Sequence, residues 1–295
     1  MSLFVTSIAF GVITASVLAI GAVGFTLQAG VTNIVNFAYG STMTACALIA
    51  WVANQAGLNL WLALVLAALF GAVFTALLNR LIYVPFSRRG TGVVSMIYVT
   101  IGAGLILEYA LEAIWGPHYF TYLQSNGASF HVLSATFTTS QVAILAIAVA
   151  TMVSVHLLLT RTQLGTAMRA TAANRNLARN CGINTERVVD IAWALSGALC
   201  GIAGVVLAVN TFAFTYTLGE GFVVIIFAAA VLGGLGQPYG AMAGALIVGV
   251  VSEAAAGLTQ PEYKDVIAFA ILILVLLVRP HGVFSELSGR RGVVR

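Results

Sequence analysis

Side chains that could do enzyme chemistry are few in this chain and lie far apart. Its four histidines are scattered, and no H-E-x-x-H or paired-histidine spacing would hold a metal ion. The phosphate-binding pattern G-x-x-x-x-G-K-S/T is missing, because the one lysine, Lys264, follows a tyrosine. The cysteines, Cys46, Cys181 and Cys200, form no C-x-x-C pair. These patterns predict no catalytic residue, no metal site and no ATP hydrolysis by this chain.

Composition indicates a membrane protein. Of the 295 residues, 60% are hydrophobic and 7% are charged, whereas a soluble domain carries about 25% charged residues. The mean hydropathy of +1.02 excludes a soluble enzyme, a disordered chain and a disulfide scaffold. The long apolar runs also lack the alternation of apolar and polar residues that is typical of barrel strands. We therefore expect an all-α, polytopic helical membrane protein, with residues 1–295 forming a single transmembrane domain.

Apolar runs predict about eight or nine membrane segments, some of them short or broken. Three runs are shorter than the about 20 residues that a helix needs to cross the hydrocarbon core, namely 37–53, 221–234 and 265–279. The runs fall at 4–27, 37–53, 60–84, 93–115, 139–160, 188–210, 221–234, 238–257 and 265–279.

Arginine positions predict the orientation. Arginines cluster at 80–89, 161–187 and 279–295, whereas the loop 116–138 has neither lysine nor arginine. Because short cytoplasmic loops are rich in basic residues, these three regions are predicted to be cytoplasmic and the loop 116–138 external. The C-terminus is then cytoplasmic, and counting back through three crossings places the N-terminus outside. Arg80 and Tyr83 are expected to extend toward the inner interface.

The basic loop 161–187 is longer than a turn between two helices requires. Gly165 to Asn180 is predicted to form a short helix, with Gly182 where a C-terminal cap belongs. One interpretation is a basic interfacial helix that only anchors the topology. The other is a docking helix for a cytoplasmic partner.

Two breaks interrupt the apolar runs and supply the pathway candidates. Asn33 and Asn36 lie in the first break, where Asn36 either lines a pathway or caps the following helix. Gly234 and Gly236 lie in the second break, which is a broken helix, a tight hairpin or a re-entrant segment. Because unwound backbone inside a membrane needs a protein or water partner, both breaks are predicted to lie beside a translocation route.

Two further features have competing interpretations. Glu108 and Glu112 lie one helical turn apart, and water access at the headgroup level is favoured over a role inside the membrane. Gly197 and Gly201 form a G-x-x-x-G spacing, for which tight packing within one chain is favoured over a seam between subunits.

Three sequence blocks resemble the branched-chain amino acid ABC transporter permeases, and the short N-terminus resembles the smaller of their two paired subunits. The first block runs from Gly30 to Gly40, with Tyr39 where many members have histidine, and the third runs from Gly233 to Gly240. The middle block contains Gly165, Arg169, Ala170, Asn174, Ala178, Gly182, Ile183 and Asn184. In this family the matching loop is the coupling helix, so Gly165, Arg169, Ala170, Asn174, Ala178 and Gly182 are implied to couple the chain to an ATPase.

The resemblance implies a permease subunit of a bacterial ABC importer for branched-chain or related amino acids. The implied partners are a second permease subunit, homologous or identical, two cytoplasmic ATPase subunits and an extracytoplasmic substrate-binding protein. The chain itself would hold no cofactor, since ATP and magnesium would bind to the ATPase subunits. The implied location is the inner membrane, and no nucleic acid partner is expected. Related permeases carry urea, amides or sugars.

The alternative is a stand-alone secondary transporter or channel for a small polar solute. Its sites typically lie at discontinuous helices near the membrane midplane, and the two glycine-containing breaks resemble such sites. A charge relay inside the membrane is missing from the sequence, and the long arginine-rich loop would have no role in that interpretation.

Overall fold

The computed structural model describes residues 2–123, 129–132, 135–258 and 264–278. The helices that are long and apolar enough to cross a membrane number six in this part of the chain: Ala9–Thr32, Leu60–Arg88, Val93–Trp115, Thr139–Arg161, Thr185–Asn210 and Pro238–Gly257. With the shorter apolar helix Leu218–Gly233 and the short helices Tyr39–Gln55 and Lys264–Val278, they lie at the nine predicted runs and confirm a polytopic helical membrane protein. The elements are α1 (Ser2–Thr32), α2 (Tyr39–Gln55), α3 (Leu60–Leu78), a π-helical segment (Asn79–Tyr83), α4 (Val84–Arg88), α5 (Val93–Trp115), β1 (Ser129–Val132), β2 (Ala135–Thr138), α6 (Thr139–Arg161), α7 (Gln163–Ala173), α8 (Arg175–Asn180), α9 (Thr185–Asn210), α10 (Leu218–Gly233), α11 (Pro238–Leu258) and α12 (Lys264–Val278).

The short segments were predicted correctly. α2 has 17 residues, α10 has 16 and α12 has 15. At a rise of about 1.5 Å per residue, each is shorter than a hydrocarbon core of about 30 Å. The sequence did not predict the antiparallel strands β1 and β2, which pair Ser129 with Thr138 inside the loop 116–138.

The chain divides into two compact units, which are described separately. One comprises residues 1–26, 125–150 and 224–295, and the other comprises 27–124 and 151–223. We refer to them as the first and the second unit. The expectation of a single transmembrane domain stays a prediction.

The second unit is built on close approach of α2, α3 and α9. A Cβ on Gly197 of α9 would collide with the Gly71 carbonyl oxygen of α3, and a Cβ on Gly201 would collide with the Ala67 carbonyl. The Thr75 hydroxyl adds a hydrogen bond between these helices, donating to the Trp193 carbonyl oxygen at 2.8 Å. Small residues at such crossings let backbones pack directly on each other, so the G-x-x-x-G spacing serves packing within the chain, as favoured.

Aromatic residues secure the other end of the second unit, beyond the end of α2. Phe120 exchanges two backbone hydrogen bonds with Phe214, at 2.8 and 3.0 Å, which joins the segment after α5 to the segment after α9. The Trp51 ring meets Phe120 edge-on with centroids 4.9 Å apart. The Tyr122 hydroxyl donates to the Ala47 carbonyl oxygen at 2.9 Å. Together these contacts fix the segment 116–123 on α2.

The first unit packs α1 against α11 and folds α10 back on α11. A Cβ on Gly249 would meet Ala15, and the Thr14 hydroxyl donates to the Glu253 carboxylate at 2.6 Å. Gly233 and Gly240 face each other so closely that a Cβ on either would collide with the other's carbonyl group. The break between these helices is therefore a tight helical hairpin, one of the three predicted alternatives.

The topology can be tested with single cysteines. Tyr119 is 79% exposed and Asn176 is exposed on α8. In a background where the exposed Cys181 is serine, Tyr119→Cys should react with an impermeant maleimide in intact cells. Asn176→Cys should react only after the membrane is opened, because arginine-rich loops stay cytoplasmic. The reverse labelling pattern would overturn the orientation.

The crossing of α3 and α9 can be tested by adding one methyl group. Gly197→Ala should lower thermal stability, since overpacking typically costs about 1–3 kcal/mol. Gly102→Ala on α5 is the matched control, because a Cβ there has nothing within 4 Å. Melting of the detergent-solubilised protein measures both variants, and equal melting temperatures would contradict the close approach.

Candidate functional site

The basic loop 161–187 contains two helices rather than the single helix predicted. Asn174 interrupts them with extended backbone (φ −158°, ψ 104°), and its side chain accepts the Leu177 N–H at 3.0 Å. That bond caps α8, since an asparagine before a helix satisfies one of the free amide groups of its first turn. The prediction of one helix from Gly165 to Asn180 is therefore wrong, because a local cap outcompetes good helix formers on both sides.

Gly182 caps α8, as predicted. Its φ is +85°, which is the left-handed region that favours glycine. The Gly182 N–H donates to the Arg179 carbonyl and the Ile183 N–H to the Ala178 carbonyl, each at 3.0 Å. This pair of bonds is the Schellman arrangement, which turns the chain from α8 toward α9.

Gly165 and Arg169 seat α7 on the end of α6. A Cβ on Gly165 would collide with the carbonyl oxygens of Leu158 and Leu159. The Arg169 guanidinium donates to the same Leu159 carbonyl, and Met168 of α7 is buried. The proposed coupling residues thus shape the loop, with Ala178 buried and Ala170 half-buried.

The exposed Leu177 of α8 was not singled out from the sequence. Leu177 is 60% exposed, and Arg175 and Arg179 beside it are also exposed. Leu177 lies two residues from each arginine, so it points to the other side of the helix, and no pattern in the sequence marked it as exposed.

The π-helical segment follows α3 directly. The Val84 N–H donates to the Asn79 carbonyl five residues earlier, which is the π pattern. Pro85 follows within α4. Since proline has no N–H and its ring clashes with the carbonyl four residues before it, regular α-helix cannot continue through this point.

The π-helical segment binds α9 through a carboxylate. The Asn79 amide donates to Asp190 Oδ1 at 3.1 Å. Arg80 donates to Asp190 Oδ2 from Nε at 3.1 Å and from Nη2 at 2.7 Å. Arg80 is thus fixed by an ion pair even though its side chain is 67% exposed.

Tyr83 is fully buried, so the expectation that it extends to the interface is wrong. Its ring stacks on Trp193 with centroids 4.8 Å apart, and its hydroxyl donates to Asn36 Oδ1 at 3.1 Å. A stacked aromatic partner and a buried acceptor make the interior more favourable than the interface for this tyrosine.

Asn36 and Asn33 shape the break between α1 and α2. Asn36 is fully buried, and its Oδ1 also accepts the Ala38 N–H at 3.1 Å. This bond shapes the turn before α2, whose N-cap residue is Ala38 and has no side-chain cap, so the structure does not show Asn36 as the cap. Its Nδ2 has no hydrogen-bond partner among the described residues. Asn33 is exposed, with φ +55°, and its N–H donates to the Ala29 carbonyl, so it ends α1 in the left-handed cap that asparagine tolerates.

A cavity of about 660 Å³ opens beside the ion pair in the second unit. Its charged side chains are four arginines and two carboxylates. Glu186 lies 3.6 Å from Arg88 and 3.9 Å from Arg179. Contributions come from Thr32, Ile34, Asn79, Arg80, Tyr83, Val84, Ser87, Arg88, Arg175, Arg179, Glu186, Val189 and Asp190. The cavity therefore brings together the end of α1, the π-helical segment, α8 and the start of α9.

Gly234 and Gly236 form the turn of the hairpin in the first unit. Both have positive φ, +96° and +84°, which a residue with a Cβ adopts only with strain. The Gln237 N–H donates to the Gly234 carbonyl at 3.1 Å and closes the turn. A pathway role for Gly234, Gly236, Asn33 and Asn36 stays a prediction.

Acidic side chains gather at the end of α5. Glu108 is buried beside the Glu220 carboxyl group. The favoured interpretation, water access at the headgroup level, stays a prediction. Partial desolvation and the nearby Glu112 carboxylate raise the pKa of the Tyr216 hydroxyl. Within the described ranges, no three His, Cys, Asp or Glu side chains lie close enough to hold a metal ion.

Comparison with known proteins decides the family. The profile of the family described as "branched-chain amino acid transport system / permease component" matches residues 7–276. The chain belongs to this family. The resemblance drawn from the three sequence blocks is thereby confirmed.

Individual permeases of the family align over nearly the whole chain. The high-affinity branched-chain amino acid transport system permease protein LivH of Salmonella typhimurium is 30% identical over 295 residues, 94% of each chain. BraD of Pseudomonas aeruginosa, a permease with the same description, is 29% identical over 297 residues, again 94% of each. The galactofuranose transporter permease protein YtfT of Escherichia coli is 26% identical over 285 residues, 94% of this chain and 80% of that protein. No solved structure matches the chain.

Proposed function

We propose that this chain is the permease subunit of a bacterial inner-membrane ABC importer for branched-chain or related amino acids. Relatives at about 30% identity are named for branched-chain amino acids, and the segments that would surround an apolar side chain are themselves apolar. The N-terminus is external and the C-terminus cytoplasmic in this proposal, as the arginine distribution requires.

The main support for this proposal is the structure of the loop 161–187. Three caps hold it in shape, at Asn174, Gly182 and Asn184. A topology anchor would need only its positive charge, whereas this loop holds an exposed leucine between two exposed arginines. Such a rigid surface suits a cleft on a protein partner, because little conformational entropy is lost on docking.

The partners follow from the missing phosphate-binding pattern. A permease that takes energy from ATP without its own nucleotide site needs two cytoplasmic ATPase subunits, which would bind ATP and magnesium. A second permease subunit would complete the pathway, and an extracytoplasmic binding protein would deliver the substrate. Co-expression with the candidate ATPase genes tests the assembly. A stable complex containing two ATPase subunits is expected, and a permease that transports alone in ATP-free vesicles would exclude it.

The docking surface can be tested with Leu177→Glu and Gly182→Val. The first variant replaces the exposed apolar side chain of Leu177 with a charged one. The second places a β-branched residue at φ +85°, which costs about 1–2 kcal/mol. Both should reduce co-purification of the ATPase by about tenfold, which corresponds to about 1.4 kcal/mol, while the permease still inserts.

The matched control for the glycine variant is Gly57→Val. Gly57 has φ +91° and open space around it, so the backbone strain is similar but lies at the opposite end of α2 from the break. Normal co-purification and uptake in both docking variants would reject the loop as the coupling element.

The two breaks can be tested by Asn36→Leu and Gly234→Leu. If each break lies beside the translocation route, uptake per inserted permease should fall several-fold in both variants, with smaller losses of expression. Gly57→Leu again controls for strain at a positive φ. Uptake that falls only in proportion to expression would assign both breaks to folding alone.

A further inference from the structure

Three side chains on successive turns of α9 face the π-helical segment and its surroundings. Glu186, Asp190 and Trp193 are spaced four and three residues apart, which places them on one side of a helix. Glu186 faces Arg88 and Arg179, Asp190 binds Asn79 and Arg80, and Trp193 stacks on Tyr83. α9 begins directly after the basic loop, at Thr185.

Residues of the π-helical segment form the opposite side of this contact, and one of them, Tyr83, also bonds Asn36. Tyr83 is the only described residue outside the break whose side chain bonds Asn36 Oδ1, at 3.1 Å. Asn36 Oδ1 otherwise accepts only the nearby Ala38 N–H. The orientation of the Asn36 amide therefore depends on the position of Tyr83.

We propose that Asp190 and Trp193 on α9, with Asn79, Arg80 and Tyr83 of the π-helical segment, are positioning residues that transmit movement of the basic loop to the break at Asn36. The proposal rests on the proposed function, because the movement originates in docked ATPase subunits. These residues would link the docked loop to Asn36, which is a candidate for lining the translocation pathway.

These contacts can transmit a displacement of α9 to the π-helical segment. The Arg80–Asp190 bonds join a guanidinium to a carboxylate, a charge-assisted contact that solvent weakens because the Arg80 side chain is 67% exposed. Asn79 donates to the other carboxylate oxygen, so Asp190 is held from both sides. Two stacked rings at 4.8 Å add a stiff contact one turn further along α9.

The π-helical segment can also change its backbone conformation when α9 shifts. On its α3 side, the helix is clamped to α9 by the Thr75–Trp193 hydrogen bond and by the crossing at Gly71 and Gly197. Beyond that clamp, a π turn contains one residue more than an α turn, and such turns are frequent at functional sites. Asn79 and Tyr83 cannot both keep their partners if the turn changes register, so the break would respond to a shift of α9.

The test uses the complete importer in proteoliposomes and measures ATP hydrolysed per substrate imported. Tyr83→Phe removes only the hydroxyl bond to Asn36 and keeps the stacked ring. Asp190→Asn keeps the size of the side chain and removes its charge. Both complexes should assemble and hydrolyse ATP within about twofold of wild type, with uptake reduced at least fivefold, so the ratio of ATP to substrate rises.

Tyr122→Phe is the matched control, because it also removes one tyrosine hydroxyl bond, to the Ala47 carbonyl at 2.9 Å, at the other end of the second unit. Its ratio should stay at the wild-type value. The exchange Arg80→Asp with Asp190→Arg should recover part of the uptake lost in Asp190→Asn.

The results distinguish failure of the proposed function from failure of this inference. A wild-type chain that binds no ATPase would reject the proposed function and this inference with it. A coupled wild type in which Tyr83→Phe gives the same ratio as Tyr122→Phe would overturn this inference alone. If Asp190→Asn does not assemble, Tyr83→Phe decides by itself.

Discussion

Hydrocarbon solvent offers no hydrogen bonds, so every interruption of a helix in this chain has to satisfy its own backbone groups. Unpaired backbone groups in such surroundings cost several kcal/mol each. The chain meets this requirement with asparagine and glycine. Asn33 closes α1 in a left-handed cap, Asn36 accepts the Ala38 amide just before α2, and Gly234 and Gly236 close the hairpin between α10 and α11. The same residues were candidates for a pathway, because the residue types that end helices are also those that can line a water-filled cavity.

α9 connects the basic loop, the π-helical segment and α3 within the second unit. Its first turn follows the capped basic loop, its second and third turns bind the π-helical segment, and its glycines pack on α3. A helix clamped so closely along one neighbour moves as a rigid body more readily than it bends, since packed interiors transmit strain. The loop and the break are thereby joined through contacts between named side chains.

The sequence predicted the membrane segments well and the polar contacts poorly. Runs such as 93–115 match the observed helix end for end, because apolar composition over about 20 residues is a local property. The break at Asn174 was missed because its neighbours are good helix formers, although asparagine three residues before Leu177 is a cap signal. Asp190 and Arg80 are 110 residues apart, and nothing in a single sequence pairs them. Only Pro85 hinted at the π-helical segment.

We propose that this chain supplies a path and a docking surface while its partner subunits hydrolyse ATP. Uptake of radiolabelled leucine into proteoliposomes separates these roles, with the complex and its binding protein compared with the permease alone. We expect uptake that requires ATP, the ATPase subunits and the binding protein together. Equal uptake by the permease alone without ATP would show that transport needs no ATPase partner.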